Sequence, residues 1–216
     1  MPPEAMSSAF VIALLGAEST GKTVLAAALA TALTSPARRI ALVPEYLREF
    51  CDRHGRTPRP DEQAHIAAEQ TRRIEAAAQG HDIVVADTTA LMIAVYSEHV
   101  FGDTALYTSA LAAHARCQLT LLTALDLPWQ ADGLQRDGPH VREPVDAAVR
   151  HALTRANLAY SVVLGSGNAR LESALACVRR ALAPPPPEPD SGKRWQWHCE
   201  RCGDTACERH ALFPEA

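Results

Sequence analysis

Lys22 is one of only two lysines among the 21 basic side chains of this 216-residue chain, and it closes the run Gly16-Ala17-Glu18-Ser19-Thr20-Gly21-Lys22-Thr23. Almost everywhere else arginine carries the positive charge. A compact ammonium on a flexible stem reaches between phosphate oxygens where a planar guanidinium fits poorly. The pattern is G-x-x-x-x-G-K-[ST], a phosphate-binding P-loop, in which backbone N–H groups and the start of the next helix form an anion nest. Gly16 through Thr23 are therefore the expected nucleotide-binding residues. Lys22 should reach the β- and γ-phosphates, and the Thr23 hydroxyl should ligate Mg²⁺. The expected ligand is ATP with Mg²⁺.

A phosphate donor needs an acceptor site, and three polar segments could supply one. In Val43-Pro44-Glu45-Tyr46-Leu47-Arg48-Glu49-Phe50, the Glu45 carboxylate could take a proton from an acceptor hydroxyl or orient it. It could equally serve as a helix N-terminal acid. Tyr46 or Phe50 could stack on a planar base, and Arg48 could balance charge. In Val84-Val85-Ala86-Asp87-Thr88-Thr89, an apolar strand runs into Asp87, as in a Walker B segment. Asp87 could bind Mg²⁺ or contact the acceptor, or it could cap a helix, for which Thr88 and Thr89 are also candidates. The long polar run 125–142 holds Trp129, Asp132, Gly133, Arg136 and Arg142. It is expected to be a lid that brings Arg136 and Arg142 onto the phosphates and excludes water. Gly165-Ser166-Gly167-Asn168 could wrap the adenine, though turn chemistry explains it as well. The basic run 53–59 reads as a solvated loop, with a substrate clamp as the alternative.

These segments need strands that end side by side. Apolar runs at 9–15, 39–43, 82–86, 118–123 and 160–164 alternate with helical patterns at 24–34, 61–79, 90–100 with 105–115, 144–156 and 169–182. A short turn is expected at 46–51. Within the first helix Leu25, Leu29 and Leu33 recur at i, i+4 and i+8, one helical face. Repeated β-α-β units call for an α/β fold, a five-stranded parallel sheet with helices on both faces. Strand order 2-3-1-4-5 is expected by fold analogy with P-loop kinases.

The expected organisation is an extension at 1–8, a kinase domain at 9–183, a proline-rich linker at 184–194 and a Cys/His-rich tail at 195–216. A net charge of −4 argues against a general nucleic-acid or membrane-surface binder. No apolar run reaches the ~20 residues of a membrane span. A cytoplasmic location is expected. Cys51, Cys117 and Cys177 are scattered and read as structural. The tail presents Cys199, Cys202, Cys207 and His210 at spacings that suit Zn²⁺, with the central gap closer to a zinc knuckle than to a ribbon. Reduced thiols or a redox pair at Cys199 and Cys202 are the alternatives.

Taken together, GAESTGKT, VPEYLREF, VADTTALMIAVYSEHVFGD and LTALDLPWQADGLQRDG resemble the ribosylnicotinamide kinase domain of the bifunctional NadR proteins, over about residues 9–182. The resemblance implies transfer of the ATP γ-phosphate to the 5′-hydroxyl of nicotinamide riboside, giving nicotinamide mononucleotide. It implies that Gly16, Gly21, Lys22 and Thr23 hold ATP and Mg²⁺. Glu45 and Asp87 would lie near the riboside hydroxyl and the metal, and Arg136 and Arg142 would belong to the lid. The Val-Pro-Glu context of Glu45 also resembles deoxynucleoside kinases, in which that Glu contacts the 5′-hydroxyl. NadR proteins carry adenylyltransferase and often helix-turn-helix regions ahead of the kinase, whereas eight residues precede the first strand here. The chain is accordingly expected neither to bind an operator nor to make NAD by that route. Two other functions fit the residues: a kinase of another nucleoside or small alcohol, and an ATP-gated switch signalling to a protein partner through the tail.

Overall fold

The computed structural model describes residues 9–130 and 138–184. Five parallel strands run in the order β2-β3-β1-β4-β5. They are β1 (Phe10–Leu15), β2 (Ile40–Val43), β3 (Ile83–Asp87), β4 (Leu119–Thr123) and β5 (Ser161–Val163). The central strands β1 and β3 are buried almost throughout, which is why they read as continuous apolar runs. The helices are α1 (Lys22–Leu33), α2 (Tyr46–His54), α3 (Gln63–Ala78), α4 (Ala90–Phe101), α5 (Tyr107–His114), α6 (Arg142–Arg155) and α7 (Gly167–Leu182).

Two helical layers cover the sheet. On one face Ile12, Leu14, Val85, Leu121 and Val163 pack against Leu25 and Leu29 of α1 and Ala174 and Val178 of α7. On the other, Leu15 and Leu122 pack against Leu91, Met92 and Val95 of α4 and Val145, Val149 and Leu153 of α6. Fully burying one such aliphatic side chain contributes about 1.5–3 kcal/mol. The strand order and two-faced burial match the α/β fold expected from the sequence.

One segment differs from expectation. Residues 46–54 form a nine-residue helix, where a short turn was expected. Tyr46 and Phe50 fall one helical turn apart and are buried against Ile66, Ala67, Ala90 and Ile93. Gly55, at φ +65°, closes the helix in the left-handed conformation that glycine adopts without strain. Tyr46 and Phe50 are therefore core residues, and the idea that they stack on a base is set aside.

The chain divides into two units, Met1–Leu182 and Ala183–Ala216. Of the second, Ala183 and Pro184 are described. Arg136 and the tail residues Cys199, Cys202, Cys207 and His210 lie outside the described residues. Among the described residues no helix is long and apolar enough to cross a membrane. Cys51 and Cys117 are free thiols whose pKa burial pushes up to about 11, which leaves them poor nucleophiles near neutrality.

Candidate active site

The P-loop follows β1 and opens α1, with its conformation set from behind by β4. Gly16 has φ +148°, and a Cβ there would lie 2.1 Å from Thr123 Oγ1. Only glycine fits so close an approach. Thr123, buried at the end of β4, has Leu15 O at 3.1 Å and Thr20 Oγ1 at 2.7 Å within reach of its single hydroxyl proton. Thr20 in turn donates to Ala17 O at 2.8 Å. Ser19 sits in the left-handed region at φ +54°, and its Oγ accepts from the Gln130 N–H at 2.8 Å. The approach to the expected lid thus rests on the phosphate loop. Lys22 Nζ donates to Ala17 O at 2.9 Å. Burial lowers the Lys22 pKa, while the charges of Glu45, Asp87 and Glu18 raise it. The sequence-distant Glu45 and Asp87 are therefore near enough for their fields to act on the P-loop lysine.

Strand register explains how Asp87 arrives there. β3 pairs in parallel with β1, placing Asp87 beside Leu14 just before the P-loop. Asp87 is 1 % exposed, and neither of its carboxylate oxygens has a hydrogen-bond partner. The capping role falls to Thr89, whose side chain accepts from the Leu91 N–H at 3.3 Å. Between them Thr88 adopts φ +80°. For a β-branched residue this costs about 1–3 kcal/mol and is commonest at functional sites. A buried carboxylate with vacant lone pairs and the exposed Thr23 hydroxyl fit a Mg²⁺ ion. Mg²⁺ typically takes one or two carboxylates and completes its shell with phosphates and water.

Glu45 is the N-cap residue of α2, but its side chain makes no capping hydrogen bond. Instead it lines a cavity of about 460 Å³ shared with the P-loop residues Glu18 to Thr23. Arg48, Gln63 of α3, and Tyr96 and Phe101 of α4 also line it. The aromatic surface thus comes from α4, not from the Tyr46 and Phe50 positions singled out in the sequence.

Arg142 departs from its expected place. It is the first residue of α6, preceded by a 3₁₀ turn at Pro139–Val141, and is 8 % exposed. It does not line the cavity. Its Nε and Nη2 have no hydrogen-bond partner. The helix starts two residues earlier than its apolar pattern suggested, so Arg142 stands at the first position of α6, where the run 125–142 ends. The basic run 53–59 is tied up in ion pairs: Arg53 with Glu49, and Arg56 with Glu62 at 2.6 Å.

The turn after β5 is also tied down. Arg170, 3 % exposed, donates to Gly165 O at 2.7 Å, Thr20 O at 3.0 Å and Ala124 O at 3.3 Å, and pairs with Asp126. Gly165 N–H donates to Asp126 Oδ2 at 2.6 Å. Arg170 therefore bolts the P-loop to the ends of β4 and β5. Two signals were present in the sequence. Arg170 falls on the apolar face of α7 with Ala174, Leu175 and Val178. Gln63 and Gln70 fall on that of α3 with Ile66 and Ala67. A polar residue on a buried face must have a partner there.

Residues 11–170 match the family model described as AAA domain. The chain belongs to this family. No curated protein matches the sequence of this AAA domain. Among solved structures, "NadR protein in complex with NR" superposes with a TM-score of 0.67 at 19% identity, over 80% of this chain and 50% of that one. "NadR protein in complex with NAD and AMP-PNP" gives 0.61 at 20% identity, over 80% and 49%. Thymidylate kinase from Ehrlichia chaffeensis gives 0.56 at 12% identity, over 79% and 99%. The chain spans about half the length of the two NadR chains. At these identities the likeness establishes the fold, a P-loop kinase fold.

Proposed function

We propose that this chain is an ATP-dependent kinase that phosphorylates the 5′-hydroxyl of nicotinamide riboside to give nicotinamide mononucleotide. The observation that carries the reading is the cavity of about 460 Å³ lined by the P-loop together with Glu45, Tyr96 and Phe101. Its volume and mixed walls suit a nucleoside, and it adjoins the loop that holds a γ-phosphate. Of the described residues lining it, the cations are Lys22 and Arg48, against the acids Glu18 and Glu45. Lys22 belongs to the phosphate donor. Among the described residues that leaves Arg48 balanced by Glu45 on the acceptor side, which suits a nucleoside carrying no phosphate. Nicotinamide riboside, with its pyridinium charge, is of that kind, and a NadR protein of the same fold has been solved in complex with NR.

The reaction needs positioning and electrostatics more than covalent help. The acceptor oxygen forms a bond to the γ-phosphorus, the bond from that phosphorus to the bridging oxygen breaks, and ADP leaves. Glu45 takes the proton released by the hydroxyl or orients it for attack. The P-loop N–H groups and Lys22 hold the triphosphate. Mg²⁺, held by Thr23 and Asp87, would neutralise the charge on the phosphates.

The test is ADP release from Mg-ATP with nicotinamide riboside, with a panel of other nucleosides, and with no acceptor. Stimulation by nicotinamide riboside alone is the expected result. Stimulation by a different nucleoside would keep the mechanism and replace the substrate. Slow ADP release indifferent to every acceptor would overturn the kinase reading.

A further inference from the structure

The two acidic strand ends are not joined by the sheet itself. The β2–β3 ladder stops at the Val43–Ala86 pair. Beyond it Pro44 has no N–H to donate, and the Thr88 N–H is taken by Leu14 O of β1 at 3.1 Å. A side chain from a third element spans the gap. Gln70 of α3 is fully buried. Its Oε1 accepts from the Tyr46 N–H at 2.7 Å. Its Nε2 donates to Pro44 O at 3.4 Å and to Thr88 O at 3.2 Å.

All three bonds go to backbone groups flanking the two acids. Pro44 and Tyr46 bracket Glu45, and Thr88 follows Asp87. The amide has one workable orientation, since its oxygen must face the N–H and its NH₂ the two carbonyls. A peptide of a neighbouring strand in a parallel ladder would likewise donate on one side of a residue and accept on the other. Gln70 therefore continues the sheet by one rung after its own hydrogen bonds end. It also holds the peptide of Thr88, whose φ of +80° requires support from its surroundings.

We propose that Gln70 is a positioning residue, its buried amide bridging the ends of β2 and β3 and setting the separation and aim of the Glu45 and Asp87 carboxylates. This rests on the reading that those two acids serve phosphoryl transfer. If Gln70 only filled the core, a methionine of similar length would replace it with little effect on turnover. If it aims the carboxylates, removing its three hydrogen bonds costs turnover while the ATP site, which it does not touch, is unchanged.

The experiment compares wild type, Gln70→Met, Glu45→Gln and the double variant in the full chain. It measures kcat, the KM for ATP and thermal unfolding, using whichever acceptor stimulates the wild type. The expected result for Gln70→Met is a fall in kcat on the order of 100-fold, the scale of a small misplacement of reacting groups. Its KM for ATP, measured at saturating Mg²⁺, should change far less than kcat, within about fivefold, because the P-loop contacts are intact and the Asp87 carboxylate is still present. In the Glu45→Gln background the same substitution should cost clearly less, about tenfold, since one of the two carboxylates it aims is already gone. An unchanged kcat in Gln70→Met, or an equal loss in both backgrounds, would overturn the proposal. If no acceptor stimulates the wild type, the kinase reading fails by itself, and Gln70 is judged by the same cycle on slow ATP hydrolysis. If Gln70→Met does not fold, hydrogen exchange of the wild-type Gln70 side-chain amide decides. Slow exchange of both N–H protons supports the bridge, and exchange at the rate of a free carboxamide overturns it.

Discussion

The Lys22 ammonium is pulled two ways, its charge disfavoured by burial and favoured by Glu45, Asp87 and Glu18. Replacing it with alanine removes the cation that should hold the β- and γ-phosphates. Lys22→Ala is expected to nearly abolish turnover and to weaken ATP binding, which titration calorimetry would measure. The two carboxylates should fail differently. Glu45 lines the cavity and makes no capping bond. Asp87 is buried with both oxygens unpartnered. Glu45→Gln and Asp87→Asn are each expected to lower kcat by ~100-fold or more, the scale of a positioned acid or base. Only Asp87→Asn should raise the Mg²⁺ concentration needed for half-maximal rate. Full activity in both variants would remove the acceptor-site assignment.

At the level of elements, the P-loop is shaped by strands that contribute no phosphate contact. Gly16 has Thr123 Oγ1 where a Cβ would stand. Gly16→Ala is expected to destabilise the fold by about 2 kcal/mol or more, as strained positive-φ substitutions do, and to abolish ATP binding. Thr123→Ala tests the cause. It removes the clashing oxygen, so the double variant should recover part of the lost stability in denaturant unfolding. Arg170 makes the second brace. Arg170→Met leaves three backbone carbonyls without their donor and is expected to cost about 2–4 kcal/mol. Because one of those carbonyls is Thr20 O in the P-loop, the KM for ATP should rise as well. A variant that lost stability with an unchanged KM would show Arg170 to be structural alone.

For the whole molecule the clearest consequence concerns acid stability. His114 is buried between Thr89 Oγ1 at 3.0 Å and Thr120 Oγ1 at 2.9 Å. Burial lowers its pKa to about 4 from 6.5. Between those values the unfolded chain binds the proton and the folded one does not. Stability from this group is therefore complete above about pH 6.5, falls as pH drops, and levels off below about pH 4. The loss is at most about 3 kcal/mol. Thermal unfolding followed from neutral to acidic pH should show this slope, and His114→Gln should flatten it. Thr89 caps the helix that follows Asp87, so protonation there should also loosen the acidic strand end.

Much of this was readable along the chain because it depends on neighbours in sequence. The P-loop is eight consecutive residues, the strands are unbroken apolar runs, and β-α-β alternation dictates parallel pairing. The helix at Tyr46–His54 was missed because its apolar content is low, and its fold depends on burying Tyr46 and Phe50 against α3 and α4. The start of α6 was missed because Pro144 marks a helix's first turn as readily as its start. That places Arg142 in a helix. The aromatic wall at Tyr96 and Phe101, the Arg170 brace and the Gln70 bridge needed the folded chain. Most of their partners lie between 18 and 150 residues away, and sequence period alone places a side chain on a buried face without saying what it meets. Gln70 bears this out: its position beside Ile66 and Ala67 marked it as buried, but only the ends of β2 and β3, brought together by the sheet, gave its amide something to hold.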